Sequence, residues 1–199
     1  MTSLRHNTDP QAAYLDAARA CILDVGWRRT TLTEVARRAG VSRMTIYRTW
    51  PDMAAVLSDL MTREWGEVVA TAVADDTGTD TTASVADHLV TIVVTTVRAL
   101  RDNELFVRIV ELDPELLLPY LLTRRGRSQQ AVAELTADRI VAGQADGSIR
   151  AGDPVTMARA LLLAVHGFVL SAHTMVDDDV TEEALDAELA HLVGRAVAP

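Results

Sequence analysis

Lysine is absent from this chain of 199 residues; all 19 basic residues are arginine, the usage of a GC-rich coding sequence. Cysteine is nearly absent. A lone Cys21 excludes an internal disulfide framework and a multi-cysteine metal site. Flanked by Ala20, Ile22 and Leu23, it reads as a small buried apolar residue. Aromatic residues make up only 4% of the chain, and aromatic-rich runs typical of strands are missing. Alanine, leucine and valine dominate instead, and the first two are strong helix formers. No period of repetition stands out. Met1 to Asp9 is polar and lacks the apolar core of a secretory signal.

Uncharged runs long enough to span a bilayer are also missing. The longest apolar stretch, Met157 to Val176, is interrupted by Arg159, His166, Ser171, His173 and Thr174, whereas a spanning helix needs about 20 apolar residues almost free of charge. It is expected to be a helix buried against other helices, in a soluble cytoplasmic protein that does not engage a membrane. Net charge is −9, an unpromising figure for a nucleic-acid binder until it is divided. Residues 1–50 hold eight arginines and four acids, net +4, whereas residues 51–199 hold eleven and twenty-four, net −13. A basic head can approach phosphates while an acidic body is repelled from them.

Helix punctuation is clear along the chain. Asp9-Pro10 is a cap followed by proline at the first helical position, and Gly26 stops the helix after Val25. Leu15, Ala18, Ile22 and Val25 form its apolar stripe. Thr31-Leu32-Thr33-Glu34 matches a capping box at the start of a short helix, Leu32 to Ala39. Gly40 supplies a turn, Val41 a buried plug, and a third helix runs from Ser42 to Trp50, where Pro51 ends it. A fourth helix reaches about Val73, followed by a polar loop, Asp75 to Thr82. Further helices are expected at about 83–102, 104–111, 115–124, 127–145, 154–176 and 181–196. No stretch reads as a strand. The expected fold is all-α, about nine helices. Residues 1–51 would form a three-helix domain, and residues 52–199 a ligand-binding and dimerisation domain.

A short helix, a glycine turn and a second short helix at about 31–50 make a helix-turn-helix. Ala36, Ala39 and Gly40 permit close crossing of the pair, while Val35, Val41, Ile46 and Trp50 form its inner face. Outward then lie Ser42, Arg43, Met44, Thr45, Tyr47, Arg48 and Thr49. An arginine pairs with both major-groove acceptors of guanine, a role that suits Arg43; Thr45 offers a hydroxyl and a methyl, and Met44 a contact to a thymine methyl. Tyr47 and Arg48 suit phosphates, as do Thr31 and Ser42 at helix starts, and Thr33 is placed to reach a base edge. A plain helical hairpin with a solvated basic face is the competing reading of the same pattern.

The surrounding residues decide in favour of DNA. Leu15-Asp16-Ala17-Ala18, Gly26-Trp27, Thr30 through Ala36, Ala39-Gly40-Val41-Ser42 and Thr45-Ile46-Tyr47-Arg48 together closely resemble the head of the TetR family of bacterial regulators over about residues 10–60. Asp146 to Arg150, Asp153-Pro154 and His166-Gly167 resemble a common pattern of its body. The resemblance implies a three-helix DNA-binding head, a helical regulatory body, a homodimer formed mainly by the last two helices, and a repressor released by a small ligand. Two positions depart from the family. Met53 stands where a phosphate-binding lysine is usual, and Gln11-Ala12-Ala13-Tyr14 lacks the frequent basic residue before the first helix motif. Arg28, Arg29, Arg43 and Arg48 are candidates to compensate.

In the body, Leu161, Leu162, Val165, Val169 and Leu170, with Leu185, Leu189, Leu192 and Val193, form stripes on two adjacent helices. They suit either a core or a two-fold four-helix bundle over about 154–196. Candidates for lining an effector cavity are Trp65, Phe106, Ile109, Tyr120, Met157, His166, Phe168 and His173, with plain core packing the competing role for each. A mostly apolar pocket with a few polar groups suits a hydrophobic or amphipathic molecule. His166 and His173 would stand about 10 Å apart along one helix, too far for a shared metal, so no metal or cofactor is expected. Asp177-Asp178-Asp179 and Arg124, Arg125 and Arg127 read as solvated runs. No catalytic triad, phosphate loop or paired-histidine motif is present, so the sequence points away from an enzyme. A helical interaction module that binds no DNA is the alternative.

Overall fold

The computed structural model describes residues 9–76 and 83–199. The expected polar start, Met1 to Asp9, and the loop from Asp75 to Thr82 fall largely outside them. Among the described residues there are ten α-helices and no strand: α1 (Pro10–Val25), α2 (Leu32–Arg38), α3 (Arg43–Thr49), α4 (Met53–Asp76), α5 (Val85–Arg101), α6 (Glu104–Leu112), α7 (Leu118–Leu122), α8 (Arg127–Ala145), α9 (Pro154–Ser171) and α10 (Glu182–Val197). The α4 helix runs three residues past Val73, to Asp76. Short 3-10 turns cover Trp27–Arg29, Pro114–Leu116 and Ala172–Met175. The single helix expected at 115–124 is therefore broken into a 3-10 turn and the one-turn α7. Two prolines, Pro114 and Pro119, each remove a backbone donor there. Likewise the α9 helix stops at Ser171 and tightens into a 3-10 turn before Val176.

Packing divides the chain into two compact units. One comprises the chain through Arg63 together with Glu104–Thr123; the other comprises Glu64–Asn103 together with Arg124–Pro199. The division thus falls inside α4 rather than at residue 51, and α6 and α7 join the head instead of the body. In the first unit α1 packs on α2 and α6, and α2 packs on α3. Leu15, Ala18, Cys21, Ile22, Val35, Ala36, Ile46, Trp50, Val56, Leu60, Leu105, Phe106 and Ile109 are buried there. Burial pushes the Cys21 thiol above its ordinary range, against a hydrogen bond from Arg38. Val25, expected in the α1 stripe, is 38% exposed, because it is the last helical residue before the Gly26 turn.

In the second unit α5, α8, α9 and α10 enclose a core of Leu89, Val97, Ile140, Ile149, Met157, Leu161, Leu189 and Val193. Gly143 is dictated by proximity: a Cβ there would lie 2.5 Å from the Ile149 side chain. The backbone N–H of Ile149 closes the same turn on the Gly143 carbonyl. Of the α9 residues only Met157, Ala158 and Leu161 are fully buried. This corrects the expectation of a helix enclosed by its neighbours: Leu163 is 71% exposed.

Candidate nucleic-acid interface

Local chemistry builds the reading element. The Thr31 hydroxyl caps α2 by accepting from the Glu34 N–H at 3.2 Å. Only half of the expected capping box forms, because the Glu34 carboxylate turns to Arg37, which donates to it at 2.5 and 3.0 Å. That bond holds the Glu34 carboxyl below its usual range. Gly40 adopts φ +69°, left-handed backbone that a side chain disfavours, and the Val41 N–H returns to the Ala36 carbonyl. Val41 itself is half-buried rather than a fully buried plug. Ser42 caps α3: its Oγ accepts from the Thr45 N–H at 3.1 Å.

The seven residues of α3 then sort by face. Ile46 is fully buried and Trp50, at the C-cap, is buried behind it. Arg43, Met44, Tyr47, Arg48 and Thr49 are exposed, with Met44 at 69% and Tyr47 at 50%. Positions 43, 44, 47 and 48 share one side of a helix with 3.6 residues per turn. Thr45 is only half-exposed, and its hydroxyl lies 2.9 Å from that of Ser42. Thr49 turns its hydroxyl back to the Thr45 carbonyl. Thr31 and Thr33 are exposed on α2, and Ser42 is exposed at the start of α3.

Electrostatics changes the sequence picture most. The first unit, over its described residues, holds nine arginines and ten acids, a net charge of −1. Acids from α4 and from Glu104–Thr123 offset the basic head. Most head arginines are already engaged: Arg19 with Glu104, Arg37 with Glu34 and Arg38 with Asp24. Arg28 donates to Glu115 at 2.6 and 3.2 Å and lies 3.2 Å from the buried Asp113. The Glu115 carboxyl is held below its usual range by that hydrogen bond. Arg28 is therefore an internal tie. No local pattern reveals it, since its partners lie more than 80 residues away. Among the described residues, Arg29, Arg43 and Arg48 carry no ion pair.

The expected effector residues do not gather in one unit. Phe106 and Ile109 are buried in the first, and Tyr120 is half-buried there. Trp65, Met157, His166, Phe168 and His173 belong to the second. Met157 and Phe168 are part of its core or pack on it, and His173 is exposed. His166 is half-buried, 3.3 Å from Gln129 Nε2. Because Gln129 Oε1 accepts from the Gly126 N–H, its amide nitrogen faces the ring, so His166 Nε2 accepts and Nδ1 carries the proton. Burial lowers the His166 pKa from its ordinary value, which keeps the ring neutral.

Comparison with known proteins bears on the family and the fold. The family model described as bacterial regulatory proteins, tetR family, matches residues 15–60. An uncharacterized HTH-type transcriptional regulator of Mycobacterium tuberculosis is 36% identical over 183 residues, 92% of each chain. Among solved structures, RolR in complex with resorcinol superposes with a TM-score of 0.67 at 14% identity, covering 94% of this chain and 87% of that one. The SmeT–triclosan complex gives 0.62 at 21% identity, covering 96% and 93%.

Proposed function

Because the chain belongs to the TetR family of helix-turn-helix transcriptional regulators, we propose that it is a homodimeric repressor of a palindromic operator, released by a small hydrophobic or amphipathic molecule. The observation that carries this reading is the outer side of α3, where Arg43, Met44, Tyr47 and Arg48 stand exposed and the two arginines are unpaired among the described residues. Arg43, in the first turn, is the base reader; Met44 and Thr45 flank it; Tyr47, Arg48, Thr31, Ser42 and Thr49 serve the phosphates, with Thr33 at a base edge. Its activity is binding rather than catalysis, and its place is with the chromosome in the cytoplasm.

A mobility-shift titration with duplex DNA flanking its own gene tests the reading. Arg43→Ala is expected to weaken binding to the shifted fragment by about 1–3 kcal/mol, with a smaller loss on random duplex. Equal losses on both would remove Arg43 from base reading, and no shift by the wild-type dimer at low salt would remove the repressor reading.

The second unit supplies the support for a dimer. On α9, Thr156, Ala160, Leu163, Ala164, Gly167 and Ser171 are exposed at helical spacing, and on α10 Ala184, Glu188, His191, Leu192 and Arg195 are. The 22-residue segment Pro154–Met175 is apolar enough to cross a membrane by length and composition, yet only 22% of its most apolar window is buried within the chain. Small residues beside Leu163 and Leu192 let a second copy approach closely across a two-fold axis. Leu163→Arg should convert the species in light scattering from twice the chain mass to the chain mass, with loss of operator binding. A variant that stays dimeric would move the interface elsewhere.

For the effector, SmeT and RolR are solved with triclosan and resorcinol, and we extend to this chain only the class: a small, largely apolar molecule with hydrogen-bonding groups. Trp65, Met157, His166, Phe168 and His173 of the second unit remain the proposed contacts, with neutral His166 the best placed to donate a hydrogen bond.

A further inference from the structure

The 3-10 turn Trp27–Arg29 carries two adjacent arginines with opposite fates. The Thr30 hydroxyl bonds the Gly26 carbonyl at 2.8 Å and its N–H bonds the Trp27 carbonyl at 3.0 Å, and Thr30 is buried. Arg28 clamps the turn from the other direction through Glu115 and Asp113. Arg29 is thus carried on a fixed backbone with an exposed side chain that has no ion pair among the described residues. Two residues later Thr31 caps α2, the bracing helix, so the two Cα atoms lie within about 7 Å of one another.

We propose that Arg29 is a DNA-phosphate anchor, and that Arg28 beside it makes no DNA contact. The inference rests on the DNA-binding reading above. Over its described residues the first unit has a net charge of −1, and such a unit is not drawn to a duplex by its overall field. Attraction must come from the cations left uncompensated, and among the described residues Arg29 is the exposed unpaired arginine of this unit outside α3. Met53, at the start of α4, carries no charge for a phosphate, whereas Arg29 presents one from the turn before α2. An already engaged Arg28 would have to abandon the buried Asp113 to reach DNA, leaving that carboxylate with less compensation at a desolvation cost.

Phosphate contacts are independent of sequence, so the test needs no known operator. Full-length wild type, R29Q, R29K and R28Q are titrated against a labelled random-sequence 30-bp duplex by fluorescence anisotropy, between about 50 and 200 mM univalent salt. Thermal melts by circular dichroism accompany each. R29Q should flatten the slope of log Kobs against log salt by about 0.9 for each engaged Arg29, hence about 1.8 for a dimer with both heads bound. R29K keeps the charge and should restore the wild-type slope. R28Q should keep the slope and lower the melting temperature. An unchanged slope for R29Q, a failure of R29K to restore it, or a flattening by R28Q as large as that by R29Q would each overturn the proposal. No duplex binding by wild type would overturn the DNA-binding reading along with it.

Discussion

Trp50→Ala is expected to lower the stability of the DNA-reading unit by about 3–5 kcal/mol, the range for removing a large buried aromatic. The residue is 2% exposed at the C-cap of α3. Its ring meets Tyr14 of α1 edge-to-face, with centroids 6.3 Å apart and planes at 78°. Its indole N–H donates to Asp59 of α4 at 2.7 Å, and the same carboxylate oxygen accepts from Gln11 of α1 at 3.2 Å. One side chain therefore fixes the end of the recognition helix against two other helices. Trp50→Phe separates the two contributions. It keeps most of the packing and loses the donor to Asp59, at about 1–3 kcal/mol. Urea unfolding followed by far-ultraviolet circular dichroism measures both, and mobility shift on flanking DNA reports whether α3 is still held. A loss below about 1 kcal/mol for Trp50→Ala, with DNA binding intact, would show that α3 is positioned without it.

The features legible in the sequence are those whose causes are local. Asp9-Pro10 starts α1, Thr31 and Ser42 cap the short helices, and Pro51 ends α3 one residue after its last turn, as spacing and capping chemistry dictate. The identity of the buried residues of α3 was legible for the same reason, since Ile46 and Trp50 lie one turn apart. Long-range electrostatics was not. The +4 counted over residues 1–50 dissolves once Glu104, Asp113 and Glu115 fold onto the head. Nothing in the spacing of Arg28 and Arg29 foretells that one is tied inward and the other is exposed. The partition of α6 and α7 was hidden for a related reason: an apolar face on a helix states that it is buried, not against which unit. Phe106 and Ile109 read equally well as cavity lining or core, and the chain alone could not choose the head for them. The α9 helix shows the converse, where continuous hydrophobicity reads as burial although much of its surface lies open in the single chain.

The second large effect lies in the body. Asp186 of α10 is 3% exposed and accepts from Arg98 Nε at 2.6 Å and from Arg101 Nη2 at 2.7 Å, both on α5. The Arg101 side chain is itself nine-tenths buried, and its Nε and Nη1 have no hydrogen-bond partner among the described residues. Asp186→Ala removes the close counter-charge of a buried guanidinium, leaving, among the described residues, Glu182 at 3.9 Å. Breaking such a pair from one side costs about 3–5 kcal/mol, most of it the desolvation of the cation left behind. Arg98, half-exposed, recovers its hydration and adds little to that figure. The double variant Asp186→Leu with Arg101→Met removes both buried charges and should regain a large part of the loss, since the pair offsets little more than its own desolvation. Unfolding midpoints of the single and double variants decide this, and equal losses for both would mean that the ion pair itself stabilises the α5–α10 contact. The same measurements bear on assembly. The α10 helix carries half of the proposed dimer surface and is held to α5 at its N-terminal end by this cluster. Asp186→Ala should therefore weaken dimerisation at micromolar concentration although residue 186 lies outside the exposed stripe, and the double variant should restore it.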